Sequence, residues 1–340
     1  MSCTTDRSMK RESEGMIVQV ESLEKFDVLM VRMKDLEESI SRLRSEITEL
    51  RSHRRDSQFH LPLFTYKLPK EVNLCGERIP LEDKNIWENL DREFIVALDN
   101  QSQILLWMKR AHRYFPYIEK RLKEMNLPDD LKYISITESS LRPYAVSSSG
   151  AGGIWQFIPS TGERYGMRKN KIIDERFDFF KATEGGLTYL KNLYDEFQSW
   201  ILAMAAYNAG ENRIKREIAF QKTRNYFYLD LPMETERYIY KIAVAKIILS
   251  NPEKYGFNLE EKEYYNPLEL ERVQIELTKV LPIMEVARAI GFYYKEIKEM
   301  NPHLSEDTIP AGIQFLNLPL GTSGRFWIFF SNWQKELECK

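Results

Sequence analysis

One short segment near the middle of the chain constrains its fold more than any other. Residues 200–206 read Trp-Ile-Leu-Ala-Met-Ala-Ala, an apolar run without a polar face. A helix of this composition is stable in water only when other elements cover it on every side. The segment therefore predicts a central helix with further helices packed around it. At 340 residues, 43% of them hydrophobic, the chain can build that core and a second domain.

Helical periodicity extends through the region around this segment, from about residue 86 to residue 257, where regular strands are not expected. Apolar spacing predicts separate helices over residues 104–122, 182–197 and 235–249. The pair Gly185-Gly186 lowers helix propensity, which suggests that this helix packs closely against another. Gly210 stands where a left-handed cap would end the central helix.

Two smaller units flank the helical region. Apolar residues alternate three and four apart near the start of the chain, a heptad pattern that predicts a coiled-coil helix serving as an oligomerisation stalk or a spacer: Phe26, Leu29, Met33, Leu36, Ile40, Leu43, Ile47 and Leu50. The alternative is an amphipathic helix folded back onto the body. Beyond residue 264 the order strand, helix, helix, strand predicts a small β-α-α-β unit, and the aromatic-rich tail at 326–333 should pack on the body.

These patterns divide the chain into four parts. Residues 1–55 hold the coiled-coil helix, 56–85 form a proline-marked connector, 86–263 form the helical domain, and 264–340 form the β-α-α-β unit with its tail. The fold class is therefore mainly α.

Composition excludes several classes of function. A net charge of −2 gives no reason to expect a nucleic-acid partner. Three distant cysteines form neither a disulfide framework nor a zinc site, and four scattered histidines form no metal centre, so neither a metal nor a cofactor is expected. His112 and His303 are expected at surfaces or loop edges.

The start of the sequence bears on localisation. No apolar run is long enough to span a membrane, and no signal peptide is recognisable in the sequence as it begins. Cys3 is a candidate lipid-acceptor residue of a bacterial lipoprotein, which would anchor the protein to a membrane. The alternative is an incidental thiol in a loose terminus.

Glu138 is the candidate catalytic residue. A helix predicted to open after Pro128 carries an apolar stripe, and Glu138 falls on that stripe seven residues after Leu131 and four after Ile134. Burial disfavours the charged form of a carboxyl group, so its pKa should rise to where a general acid works near neutral pH. The alternative is an ordinary Glu paired with a neighbour such as Arg142.

Three segments carry a recognisable chemistry together. Glu138-Ser139 comes first, the Gly-rich loop 145–157 ending in Trp155-Gln156-Phe157 comes second, and Ala-Tyr-Asn-Ala-Gly at 206–210 comes third. Glycines let a backbone approach a ligand closely. In this order, and with the runs at 174–178 and 234–238, the segments resemble the lytic murein transglycosylases of the lysozyme-like superfamily, most of all the membrane-bound D-type enzymes. The resemblance covers about residues 80–257.

The resemblance implies a lysozyme-like helical fold and a reaction. Such enzymes cleave the β-1,4 bond between N-acetylmuramic acid and N-acetylglucosamine in peptidoglycan, and leave 1,6-anhydromuramic acid ends. By motif, Glu138 would be the acid and then the base, and no second acidic residue falls in the three segments 138–139, 145–157 and 206–210. The implied substrate-binding residues are Ser147, Gln156, Tyr207, Asn208 and Tyr238, with Tyr207 and Asn208 orienting the acetamido group beside Glu138.

Other residues of these segments are expected to support the site. Ser139, Gly150 and Gly153 would shape the loop, and Asp174, Arg176 and Asp178 would form an ion-pair cluster that fixes it. Trp155 could equally be core or a platform for a sugar. The C-terminal unit resembles a LysM module, but Lys-Val-Leu-Pro at 279–282 replaces its usual Gly-Asp-Thr, so glycan binding and a fold without binding both remain open.

A bacterial periplasmic or cell-envelope lytic transglycosylase is therefore expected, with peptidoglycan glycan strands as its partner and residues 26–50 as an oligomerisation segment. Two alternatives remain at this point. One is a hydrolytic muramidase of the same fold, and the other is a non-catalytic peptidoglycan-binding scaffold.

Overall fold

A computed structural model describes residues 30, 32–48 and 66–338 of the chain. It divides the chain into two compact units, one before and one after the boundary at residues 61 and 62. Cys3 and the heptad positions Phe26, Leu29 and Leu50 lie outside the described residues.

The first unit contains helix α1, residues 32–48. Its five described heptad positions are between 47% and 61% exposed: Met33, Leu36, Ile40, Leu43 and Ile47. The apolar stripe of α1 is therefore open to solvent along its length.

The second unit begins with a hairpin of strands β1 (Val72–Leu74) and β2 (Glu77–Ile79). Here the structure differs from the expected extended connector, because three hairpin side chains are buried in the main core: Val72, Leu74 and Ile79. The Glu77 carboxylate also accepts hydrogen bonds from the Ser199 hydroxyl at 2.7 Å and from the Trp200 amide. Strands of three residues are too short to show an alternating pattern in the sequence.

Helices form the body of this unit, and no strand interrupts residues 84–250, all of which are described. They are α2 (Lys84–Asp99), α3 (Gln101–Glu124), α4 (Tyr133–Ser139), α5 (Pro159–Arg164), α6 (Phe179–Phe197), α7 (Trp200–Ala209), α8 (Glu211–Gln221) and α9 (Met233–Ser250). All seven residues from Trp200 to Ala206 are buried, which confirms the predicted central helix. Gly210 has φ 87° and ψ 138°, so it ends α7 in an extended conformation rather than in the expected left-handed helical one.

The glycine pair of α6 packs closely, as the sequence predicts, but against a loop and not a helix. A Cβ on Gly186 would lie 2.9 Å from the ring of Trp155, and one on Gly185 would lie 2.7 Å from Met167 Cε. Trp155 and Met167 both lie outside helices. Because these two glycines have no side chains, Trp155 and Met167 have room to pack against α6.

The C-terminal unit has strand, helix, helix and strand in the predicted order. Its elements are β3 (Leu270–Leu277), β4 (Leu281–Pro282), α10 (Ile283–Ile290), α11 (Tyr294–Met300), β5 (Thr308–Ile309), β6 (Gly312–Pro319) and α12 (Ser323–Glu338). Strand β3 pairs antiparallel with β6, and β4 with β5. Helix α12 places Phe326 and Phe330 in a second hydrophobic core, so the aromatic tail packs as expected.

Three buried or half-buried polar residues, here called the polar seam, lie between this second core and the helical core: Asp178, Arg272 and His303. Both carboxylate oxygens of Asp178 accept hydrogen bonds from Arg272, at 2.9 and 2.8 Å. His303 lies in a loop, one of its two expected positions, but it is only 4% exposed and is therefore not at the surface. Burial lowers the pKa of His303, so the ring is neutral near pH 7, and its Nε2 donates to the Phe315 carbonyl at 3.2 Å. The Nδ1 atom of the same ring is buried without a hydrogen-bond partner among the described residues.

Among the described residues, no helix combines the length and the apolar character that a membrane span needs.

Candidate active site

A cleft of about 640 Å³ opens on the helical body and brings together the six predicted site residues outside the N-terminal segment. They reach it from α4, the cleft loop (residues 145–157), α7 and α9: Glu138, Ser147, Gln156, Tyr207, Asn208 and Tyr238. One hundred residues separate Glu138 from Tyr238 in the sequence, and the fold places them in hydrogen-bond contact.

Helix α4 carries Glu138 at its last turn. The chain enters through a 3₁₀ turn at Asp129–Lys132 and leaves at Ser140, the left-handed cap residue with φ 57°. The helix is therefore shorter than the apolar stripe suggests, because Leu131, where the stripe begins, lies in the 3₁₀ turn. The Ser139 hydroxyl donates to the Ile154 carbonyl at 2.8 Å, which ties α4 to the cleft loop and gives Ser139 the expected structural role.

The Glu138 carboxyl group has the protonation behaviour that a general acid needs. It is half-buried, and burial raises its pKa to about 7. The Tyr238 hydroxyl donates to it and Lys241 attracts its charge, and both effects oppose the rise, whereas Glu234 adds to it. Arg142, the alternative partner, donates instead to the Ser139 carbonyl at 3.1 Å.

Two phenols flank this carboxyl group. Tyr207 donates to the Trp155 carbonyl at 2.7 Å, and Tyr238 donates to Glu138. Burial, together with the nearby Glu138, raises the pKa of both tyrosines well above its usual value. Both hydroxyls therefore stay neutral hydrogen-bond donors over the pH range in which Glu138 titrates.

The amide side chains of the cleft are held by protein contacts. Gln156, at φ 49°, donates through Nε2 to the carbonyl oxygens of Gly153 at 2.7 Å and Ala145 at 3.2 Å. Asn208 Oδ1 accepts from the Thr235 hydroxyl at 2.9 Å. The remaining polar atoms, Gln156 Oε1 and Asn208 Nδ2, form no hydrogen bond with any described residue.

Ser147 both forms hydrogen bonds within the cleft loop and lines the cleft. Its hydroxyl oxygen accepts from the Ala151 amide at 3.0 Å and lies 2.9 Å from the Ser149 hydroxyl, while the residue also lines the cleft. Trp155 is core and not a platform, since it is fully buried and donates through Nε1 to Thr183 at 3.0 Å.

The expected ion-pair cluster lies behind the cleft loop. Arg176 binds both oxygens of Asp174, through Nε at 2.8 Å and Nη2 at 2.6 Å. Its Nη1 donates to the carbonyl oxygens of Gly150 at 2.7 Å and Phe157 at 2.8 Å. Asp174 and Arg176 fix the loop, whereas Asp178, the third predicted member, pairs with Arg272 instead, and none of the three lines the cleft.

Two charged residues of α9 line the cleft without having been assigned to it from the sequence, namely Glu234 and Lys241. Together with Tyr238 they are spaced four and three apart, so they share one face of α9. That spacing was visible in the sequence, but only the position of α9 beside α4 directs the face towards Glu138.

A further carboxylate lines the cleft on α8. Burial alone would raise the pKa of Glu211, but hydrogen bonds from Arg164 at 2.9 Å and Tyr189 at 2.8 Å outweigh it and hold the pKa at about 2. The cleft thus contains carboxylates other than Glu138, although none lies in the three motif segments.

Comparisons with known proteins show what this chain is similar to. The model of the family "Transglycosylase SLT domain" matches residues 115–229, which include Glu138, the cleft loop and α7. Membrane-bound lytic murein transglycosylase D of Escherichia coli (strain K12) is 32% identical over 228 residues, covering 65% of this chain and 50% of that protein. Membrane-bound lytic murein transglycosylase C of Serratia proteamaculans (strain 568) is 31% identical over 130 residues, covering 34% of this chain and 36% of that protein.

A solved structure is also similar. The 70 kDa soluble lytic transglycosylase of Escherichia coli aligns with a TM-score of 0.35 at 17% identity, over 66% of this chain and 46% of that one. The chain spans about half the length of the D-type relative. The helical fold and the match of residues 115–229 to the family "Transglycosylase SLT domain" agree with the predicted lysozyme-like transglycosylase class.

Proposed function

We propose that the protein is a peptidoglycan lytic transglycosylase that cleaves the β-1,4 bond between N-acetylmuramic acid and N-acetylglucosamine. The observation that carries the proposal is Glu138, a carboxyl group with a pKa of about 7 beside a neutral phenol in an open cleft. The substrate class comes from the relatives, which are named as lytic murein transglycosylases.

The reaction needs one group that first gives and then takes a proton. Protonated Glu138 donates its proton to the glycosidic oxygen while the bond from that oxygen to muramic C1 breaks. The muramic 6-hydroxyl oxygen then bonds to C1, and the Glu138 carboxylate accepts the hydroxyl proton. The products are an N-acetylglucosamine end and a 1,6-anhydromuramic acid end, and no water is consumed.

Asn208 is suited to orient the sugar during this step. Its amide oxygen is occupied by Thr235, so Nδ2 is left to donate to the carbonyl of an acetamido group. Tyr207, Gln156 and Ser147 complete the lining on the loop side. We infer that the muramic 2-acetamido group, held in this way, stabilises the positive charge that develops at C1.

A hydrolytic muramidase is the second candidate, because Glu234 lines the same cleft. A second carboxylate near the acid could activate a water molecule, as in ordinary glycosidases. Glu234 is exposed and is close enough to raise the pKa of Glu138, so it is the residue that would perform this role.

Mass spectrometry of the fragments released from purified sacculi distinguishes these reactions. We expect muropeptides with 1,6-anhydromuramic acid ends, which are lighter by one water than the hydrolytic products. Reducing muramic acid ends would assign the protein to the muramidases instead. Binding to sacculi without any released fragment would support the scaffold alternative.

We further propose that α1 joins two copies of the chain as a parallel coiled coil. Isoleucine at Ile40 and Ile47 occupies a positions and leucine at Leu36 and Leu43 occupies d positions, a combination that favours two parallel strands. In that arrangement Arg32, at a g position, lies opposite Glu37 of the second copy, at an e position. Their charges are complementary.

Replacing Ile40 by Glu should convert the full-length dimer into a monomer, because two like charges would meet in the seam. The matched control is Ser45→Glu, which adds the same charge on the outer face and should remain a dimer. Sedimentation equilibrium measures the mass of each variant. A wild-type mass equal to one chain, or a dimer that survives Ile40→Glu, would contradict the coiled coil.

The remaining expectations concern the location of the protein and its outer parts. We propose that it acts in the bacterial cell envelope, where its substrate lies, with Cys3 as the lipid-acceptor residue and residues 264–340 as a LysM-like unit. The separate hydrophobic core of that unit supports treating it as a domain distinct from 86–263. Mass spectrometry of the native protein extracted from membranes tests the lipidation, and an unmodified Cys3 would contradict it.

A further inference from the structure

We propose that the C-terminal unit positions the wall of the glycan cleft, with Arg272 and Asp178 as positioning residues. This inference rests on the proposed function. The connection runs through residues 174–178, here called the clasp, which contact the cleft loop on one side and the C-terminal unit on the other. None of these contacts includes a residue of the catalytic machinery, so the unit acts on the site through the backbone.

On the cleft side, the clasp donates hydrogen bonds to carbonyl oxygens of the cleft loop. Arg176 is 3% exposed and donates to the carbonyl oxygens of Gly150 and Phe157, and the cleft-lining residues Ala151 and Gln156 lie between these two points. Gly153 lies so close that a Cβ there would be 2.0 Å from the Arg176 carbonyl oxygen. A displacement of the clasp must therefore displace the loop.

On the opposite side, the C-terminal unit holds the clasp at both of its ends. The Asp174 amide donates to the His303 carbonyl at 2.9 Å, and Asp178 receives the two hydrogen bonds from Arg272 in β3. A neighbouring contact joins Arg168 to Gln314 of β6 at 2.9 Å. Strand β3 and the loop that carries His303 thus fix the clasp directly, and β6 contacts it only through Arg168, which also binds Glu175.

The buried charge of Asp178 makes this attachment energetically important. Asp178 is 2% exposed, and although burial acts to raise its pKa, the hydrogen bonds from Arg272 outweigh that effect and hold the pKa below its usual value. Removing one partner of such a pair leaves an uncompensated buried charge, which costs far more than the loss of a surface ion pair. The region is expected to relieve that charge by admitting water and moving the clasp.

Replacing Arg272 by Met tests the proposal, because Met removes the charge but keeps an apolar stem against Phe180 and Phe315. Hydrogen–deuterium exchange is measured on the full chain, in the cleft loop and in α2 and α3. We expect exchange at the loop amides of Ser147, Gly152 and Gly153 to accelerate at least about tenfold, while α2 and α3 keep wild-type rates. The matched control is Arg288→Met, an exposed arginine of α10 whose loss should leave the loop unchanged.

Turnover on sacculi gives a second readout. The KM of Arg272→Met should rise about tenfold with a smaller change in kcat, because the loop binds glycan but does not donate the proton. Adding Asp178→Asn to Arg272→Met removes the stranded charge and should restore part of the loss. Exchange needs no turnover, so its result stands even if the protein proves not to cleave peptidoglycan.

Two results would overturn the proposal. One is unchanged exchange in the cleft loop of Arg272→Met, and the other is acceleration spread equally over α2 and α3, which would indicate a general loss of stability. If Arg272→Met does not fold, Arg272→Lys replaces it, since Lys keeps the charge but loses the two-pronged contact. We then expect a smaller acceleration at the same loop amides, and wild-type exchange there would overturn the proposal equally.

Discussion

Glu138→Gln should lower the rate of peptidoglycan cleavage by at least about 1000-fold, because Gln can neither donate a proton to the glycosidic oxygen nor accept one from the sugar hydroxyl. The side chain keeps its size and can still form a hydrogen bond with Tyr238, so the fold and sacculus binding should persist. The measurement is the rate of soluble muropeptide release at pH 6, with binding followed by co-sedimentation. Turnover within tenfold of the wild type would show that Glu138 is not the acid.

The same substitution should leave stability intact or increase it at alkaline pH. The pKa of Glu138 is about 7 in the folded protein and lower in the unfolded chain, so the stabilisation linked to its protonated form is present at acid pH. It is lost as the pH rises through about 7. Gln cannot ionise, and Glu138→Gln should therefore unfold no earlier than the wild type at pH 8.

Tyr238→Phe is the matched control, because it keeps the carboxyl group and removes only the hydrogen bond that lowers its pKa. Wild-type activity should decline on the alkaline side as Glu138 ionises near pH 7. In Tyr238→Phe this decline should move to higher pH. A shift towards lower pH would show that the phenol does not stabilise the carboxylate.

Gly153→Ala should destabilise the protein by at least about 4 kcal/mol, because Gly153 has the shortest Cβ contact among the described glycines. The φ of Gly153 is +79°, which costs about 1–2 kcal/mol for a residue with a Cβ. That Cβ would also lie 2.0 Å from the Arg176 carbonyl oxygen, a backbone atom that a rotamer change cannot move. Urea denaturation followed by circular dichroism measures the loss.

Gly150→Ala separates these two causes. Gly150 has nearly the same φ, +78°, but no heavy atom lies within 4 Å of the position that the added Cβ would occupy. It should lose only the conformational part, about 1–2 kcal/mol. Equal losses in the two variants would mean that the clasp moves aside easily, and would also weaken the proposed coupling between the clasp and the loop.

Local periodicity was sufficient to predict the parts of this fold that depend on neighbouring residues. The uniform apolar run at 200–206 predicted a central helix, and the structure buries all of it. The helical spacing from Leu131 to Glu138 predicted a carboxyl group with a raised pKa, although the helix proved shorter than the stripe. In the C-terminal unit, alternation and short helical repeats gave the correct order of elements.

What local periodicity could not give are the relations between distant segments. In the sequence His303 resembles any loop histidine. It is buried because the fold places Phe315 and Asp178, from other segments of the chain, beside it. Glu234 and Lys241 are ordinary helix-surface residues until α9 is placed beside α4. The β1–β2 hairpin is too short to form a pattern, and its burial depends on the helices that cover it.

The polar seam between the two cores has a consequence for how proteins of this kind can be recombined. A module on a flexible tether can be gained, lost or exchanged without change to the enzyme that carries it. Here, exchange of the C-terminal unit would strand the buried Asp178 carboxylate unless the incoming unit also supplied a cation at the position of Arg272. The unit to transplant into another protein is therefore the pair and not either part alone.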